Sequence, residues 1–280
     1  MTQVLFSMPC HESHEAVNIN IANLRRFNGL QHQVLIHADA GWNDWMEERV
    51  DLPNVYINPV RYRTNHAHSQ IVTHISNYLN AVERGVDFDY VAVFHTSEMF
   101  IKRGMHDHIA KYDHSLWFTP ETQPHDLSWP PLGKAVEMRM FKDLFSANVL
   151  SNYLGNLLEG SWWKRELFQE IVDWTLYHYD LEDLQLPWAA EEVFFPTLSW
   201  HLSGGKNFTH PYCAFHHEDH FIKDRILIDG IRNGKDVTFW QPQNFVYDWK
   251  PVPSEGLFSV KRISRDLDDP IRIYLSWLKA

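Results

Sequence analysis

Residues 89–100, Asp-Tyr-Val-Ala-Val-Phe-His-Thr-Ser-Glu-Met-Phe, run through an unbroken apolar stretch and then break into His95-Thr96-Ser97-Glu98. A continuous apolar run of this length reads as a strand covered on both faces, as in a parallel sheet packed between helices. Parallel α/β sheets bind ligands outside the carboxyl ends of their strands, where the crossover loops converge. The polar end of this stretch therefore marks a ligand-facing edge.

Working outward, the same grammar repeats. Residues 3–10 form an apolar strand, and Val17, Ile21 and Leu24 follow at helical spacing. A second strand at 33–39 ends in Asp39 just before the turn residue Gly41, and 54–57 reads as a third. Between 68 and 84 lies a helix with Ile71, Ile75, Leu79 and Val82 on one face. Strand alternating with helix predicts an α/β fold with a mainly parallel central sheet flanked by helices. Its strand ends would gather His11, Asp39 and the 95–98 segment at one crevice. Residues 119–158 are proline-rich and poorly periodic, an irregular segment placed to cover that crevice. Residues 160–179 read as a helix with Leu167, Ile171 and Trp174 along one face. No sharp break in composition divides the chain, so residues 1–280 are expected to form one domain.

Composition narrows the function. A net charge of −11 argues against a phosphate backbone as a general partner. Cys10 and Cys213 lie too far apart for a CxxC knuckle or a disulfide framework, which fits a reducing compartment. No apolar run spans a bilayer, and the first residues lack the basic and long apolar regions of a signal peptide. The expectation is a cytoplasmic protein, compatible with a peripheral position on the inner face of a membrane. The 18 histidines raise a metal-dependent hydrolase as an alternative. Their spacing, in pairs such as His66/His68 and His106/His108 and in the run His216-His217-Glu218-Asp219-His220, never matches the HExxH helix pattern.

Five fragments, in order, carry a resemblance. They are 34–39 (VLIHAD), 88–98 (FDYVAVFHTSE), 160–163 (GSWW, followed by Arg165-Glu166), 190–198 (AEEVFFPTL) and 256–262 (GLFSVKR). Together they resemble the core-2/I-branching β-N-acetylglucosaminyltransferase family, which includes peptide xylosyltransferases and bacterial relatives with a GT-A-like fold. That resemblance implies an inverting transferase moving a sugar from a nucleotide donor, with UDP expected, to a hydroxyl of a glycan or glycolipid acceptor in polysaccharide biosynthesis. It also implies a metal-free mechanism without a separate cofactor, and within the single domain a nucleotide-binding half at 1–118 and an acceptor and catalytic half at 119–280. Thr96-Ser97-Glu98 stands where many GT-A enzymes hold a divalent metal with Asp-x-Asp, and one carboxylate beside hydroxyls is a poor chelate. Basic side chains would neutralise the diphosphate instead, and Lys261 and Arg262 occupy the matching motif. Arg262 departs from it, since the family carries an aromatic residue there.

For the proton of the attacking hydroxyl the resemblance points to Glu192 as general base, with Glu191 beside it on the substrate side. Both acids follow Pro187 in the first turn of a helix, where the dipole favours the ionised form. Pro196 would deny the Glu192 carbonyl its helical hydrogen bond, so the helix must kink or begin late. Which of the two acids faces the pocket stays open. Trp162 and Trp163 offer flat faces for a sugar ring, and His11, Asp39, Ser97 and Glu98 would line the nucleotide-sugar pocket. The 216–220 run is expected in an acceptor-side loop. A further alternative keeps the chemistry but glycosylates modified DNA bases, which would require a basic channel.

Overall fold

Strand β1 (Val4–Cys10) is buried over its whole length. It lies between two parallel partners, β2 (Gln33–Ala38) and β4 (Tyr90–Val93), and β3 (Val55–Ile57) extends the sheet beyond β2. The computed structural model describes residues 2–41, 52–64, 68–122, 133, 140–142, 153–184, 186, 189–215, 221–237 and 252–280. Most of the 119–158 segment, His66, Pro187 and the 216–220 run lie outside these residues.

Beyond β4 the sheet continues with β7 (Trp162–Lys164), β6 (His114–Ser115) and β8 (Phe208–Thr209), giving the order β3-β2-β1-β4-β7-β6-β8. Among the described residues β7 is the strand that runs against the rest. The fold is thus α/β with a mainly parallel sheet flanked by helices. A small second sheet joins β5 (Glu98–Phe100), β10 (Ser259–Lys261) and β9 (Cys213–Phe215) in the order β5-β10-β9.

Period-two alternation explains why the strands read as continuously apolar. Val4, Phe6 and Met8 pack with α1 (His14–Asn28) through Val17, Ile21 and Leu24. Leu5, Val91 and Val93 turn to the other face, where α2 (Ile71–Glu83), α4 (Arg165–His178) and α5 (Glu191–Ser203) supply Ile75, Phe168, Ile171 and Phe195. Helix α1 begins under a Ser13 cap, whose hydroxyl accepts from the Ala16 amide, and ends at Gly29 with φ 90°. Among the described residues the fold also has the short helices α3 (Met105–Ile109), α6 (Ile226–Arg232) and α7 (Pro270–Trp277).

One expectation is corrected here. The helix read over 160–179 begins only at Arg165, because Trp162–Lys164 pairs with β4 as a strand. Trp162 packs into the α1-side core and Trp163 into the other, and both are almost entirely buried. Adjacent residues of a strand face opposite ways, so a Trp-Trp pair suits a strand covered on both sides.

Candidate functional site at the carboxyl edge of the sheet

The parallel strands β1, β2 and β4 deliver His11, Asp39 and His95 to one edge, as their common direction requires. Asp39 is occupied there by the backbone. Its Oδ1 accepts from the Gly41 amide at 2.7 Å, and its Oδ2 accepts from both the amide and the hydroxyl of Thr64. Burial opposes ionisation of Asp39, but these donors outweigh it and hold the carboxyl below its ordinary range. Asp39 therefore pins the 61–64 segment to the end of β2. His11 lies more open, within 3.5 Å of both Glu12 and Arg265, and Arg265 also forms an ion pair with Glu12.

Glu98 proves to be an internal strut. It is fully buried, its Oε1 accepts from the Ser259 hydroxyl at 2.6 Å and its Oε2 from the His95 amide at 3.4 Å. Burial pushes its carboxyl up to about 8, with Ser259 and Lys261 opposing the rise. The expected contact of Glu98 with a nucleotide sugar is corrected: both oxygens of this buried side chain are already engaged by its own fold. Instead it sets its cross-strand partner, because Glu98 stands directly opposite Lys261 in the antiparallel β5/β10 pair. Ser97 is nearly buried as well, and its carbonyl accepts from the Ile263 amide at 3.0 Å.

Lys261 thus arrives in the crevice through the second sheet. Its Nζ donates to Glu159 Oε1 at 2.6 Å, and both side chains are nearly buried. The Lys261 ammonium holds Glu159 below the ordinary carboxylate range although burial works the other way. Arg262 follows at φ 75°, a left-handed conformation costly for a non-glycine residue. Its charge reaches both Glu159 and Glu192.

The paired acids of α5 have different positions. Glu191 is buried and tied to the start of α2: its Oε2 accepts from the Gln70 amide at 3.3 Å, and burial raises its carboxyl to about 7. Glu191 accordingly braces two helices, against the expectation that it meets substrate. Glu192 keeps part of its surface open, and its carboxylate has no hydrogen-bond partner among the described residues. Burial, then the charges of Glu159 and Glu191, raise its carboxyl well above the ordinary range, so the helix dipole does not decide its ionisation. Pro196 lies inside α5 without ending it. The Glu192 carbonyl that proline leaves unmatched accepts instead from the Asn156 amide at 2.8 Å.

Trp162 and Trp163 offer no face to a ligand, and Trp163 Nε1 donates internally to Ser199 Oγ at 2.6 Å. Their expected stacking on a sugar is corrected on that ground. The histidines of the pair His106/His108 diverge, His106 packing on His32 and His108 on His210. The crevice also holds two charged residues that sequence reading passed over, Glu159 and Arg265. Glu159 had one legible signal, its place before a glycine in the turn 158–161, where the Ser161 amide bonds the Leu158 carbonyl at 3.0 Å and Gly160 has φ 66°.

No protein-family model matches the chain, and no curated protein matches it. Among solved structures the chain is similar to the nucleoside-diphosphate-sugar pyrophosphorylase from Vibrio cholerae RC9, with a TM-score of 0.39 and 11% identity over 74% of this chain and 91% of that one. Among the described residues no helix is long and apolar enough to cross a membrane. The functional reading rests on the geometry of the crevice.

Proposed function

We propose that the chain is a GT-A-like glycosyltransferase that moves a sugar from a nucleotide diphosphate, with UDP the expected nucleotide, to a hydroxyl of a glycan or glycolipid acceptor. The observation that carries this reading is the cluster in which Lys261, held by Glu159, acts by its charge on a partly open Glu192 whose carboxylate has no hydrogen-bond partner among the described residues. In a single inverting displacement the acceptor oxygen attacks the anomeric carbon, its proton passes to Glu192, and the bond to the diphosphate breaks. A positioned carboxylate base contributes about 10²–10⁴-fold in rate. An environment that raises the proton affinity of Glu192 makes it a stronger base once ionised.

Charge builds on the departing diphosphate, and Lys261 lies where charge-assisted hydrogen bonds would offset it. Arg262 and Arg265 add positive charge on the same side. The metal-free course is supported by Glu98, whose two oxygens are already engaged by Ser259 and His95 in the place where an Asp-x-Asp would chelate. Lys261 is its cross-strand partner and would take the metal's part.

The test is a thermal-shift and calorimetric screen of nucleotides and nucleotide sugars in EDTA. A UDP-linked ligand should raise the melting temperature without added metal, and Lys261→Ala should weaken its binding by about 10-fold or more, the worth of one charge-assisted bond. Binding that appears only with added manganese, or is unaffected by Lys261→Ala, would overturn the assignment.

A further inference from the structure

The displacement just described leaves Glu159 without a role, although it is the acid that holds Lys261. Its Oε1 receives the Lys261 ammonium at 2.6 Å. Its Oε2 is buried and has no hydrogen-bond partner among the described residues. A buried carboxylate oxygen without a donor is costly, and native structures rarely leave one so.

The backbone gives Glu159 no room to withdraw. It occupies the second position of the 158–161 turn, and the next residue is held at φ 66°. A Cβ on Gly160 would lie 2.4 Å from Cys213 Cβ and 2.5 Å from the Cys213 amide nitrogen, and the Gly160 carbonyl accepts from the Tyr212 amide at 3.0 Å. Glycine is therefore required at 160, and the turn is clamped onto β9. The unmatched oxygen is a built feature of the crevice.

A diphosphate brings only acceptors, so it cannot satisfy that oxygen. A neutral O–H can, and a sugar presents several beside the bond that breaks. We propose that Glu159 binds the transferred sugar, Oε1 holding Lys261 while Oε2 accepts a hydrogen bond from a ring hydroxyl. The inference rests on the nucleotide-sugar reading above and adds to it the residue that selects the sugar. One carboxylate then joins two recognitions, the grip of Lys261 on the diphosphate and the choice of sugar. It also opposes a bare nucleotide diphosphate, which would bring negative charge to Glu159 and offer nothing to Oε2.

The experiment compares calorimetric affinities of UDP, UDP-glucose, UDP-N-acetylglucosamine, UDP-xylose, GDP-glucose and dTDP-glucose for the wild type, Glu159→Gln and Glu159→Ala. In both variants the matching free diphosphate should bind as tightly as in the wild type or more so. The preferred nucleotide sugar should lose about 10-fold or more, the worth of a hydrogen bond to a charged group. A loss by the same factor for diphosphate and nucleotide sugar would reveal a merely structural role and overturn the proposal. Unchanged affinity for the sugar conjugate would overturn it too, while the transferase reading stands. If no nucleotide sugar binds the wild type, both fall. Should the variants not fold, the 2-, 3-, 4- and 6-deoxy forms of the preferred donor test the wild type directly: one should bind at least about 10-fold more weakly, and equal binding of all four would overturn the proposal.

Discussion

Two groups of acids meet at the same edge and behave in opposite ways. Asp39 and Glu98, delivered by the first half of the chain, have both oxygens engaged by amides and hydroxyls of their own fold. Glu159 and Glu192, delivered by a clamped turn and a helix docked on that edge, each keep carboxylate oxygen without a partner among the described residues. The strand ends thus build the crevice, while elements laid across it retain the capacity to act. A polar residue at a strand end earns a functional role only if its hydrogen-bonding capacity is not already spent.

Exchange of Glu192 for glutamine should break the contrast most sharply. It should lower kcat by about 10²–10⁴-fold, the worth of a general base, with donor affinity in calorimetry retained. If the rate of Glu192→Gln stays within a few-fold of the wild type, the base lies elsewhere. Asp39→Asn probes the other group. Removing charge from a carboxylate that accepts from Gly41 and Thr64 should cost about 1–3 kcal/mol of stability in denaturant titrations, with a much smaller effect on turnover. A loss of turnover rivalling that of Glu192→Gln, in a protein of normal stability, would move Asp39 into the acting group.

The smallest expected effect concerns pH. Glu98 titrates at about 8 in the folded chain against 4.5 for an ordinary glutamate, so the folded state keeps a proton that the unfolded chain releases. The stability it contributes is full below about pH 4.5 and is lost as pH rises through about 8. Glu191, raised to about 7, acts in the same direction. The melting temperature should therefore decline across that window, and Glu98→Gln should make the decline shallower. An equally steep decline in the variant would remove Glu98 from the account.

Much of the fold was legible because buried strands and amphipathic helices write themselves in apolar periodicity, as in 4–10, 33–38 and 90–93. The exception at 162–164 has the same origin. Two indoles beside Gly-Ser look like a platform for a sugar, and only pairing with β4 shows that each faces a different core. At the site, Lys261 and Glu192 were singled out through motifs, and in the structure the charge of one acts on the other. Asp39 and Glu98 misled because residue type reveals that a carboxylate is present, not whether a neighbouring amide has claimed it. Glu159 and Arg265 carry no periodicity and no motif. Their positions follow from a turn clamped onto β9 and from a segment after β10 that crosses to Glu12, contacts made over long separations in sequence.

The proline within α5 ties two distant positions into a single heritable unit. Replacing Pro196 with a residue that has an amide would return the Glu192 carbonyl to the helix and strand the Asn156 N–H, while a proline at 156 would strand the carbonyl. Neither site is at liberty to drift without the other, and a lineage that alters one should carry the record of a matching change at its counterpart.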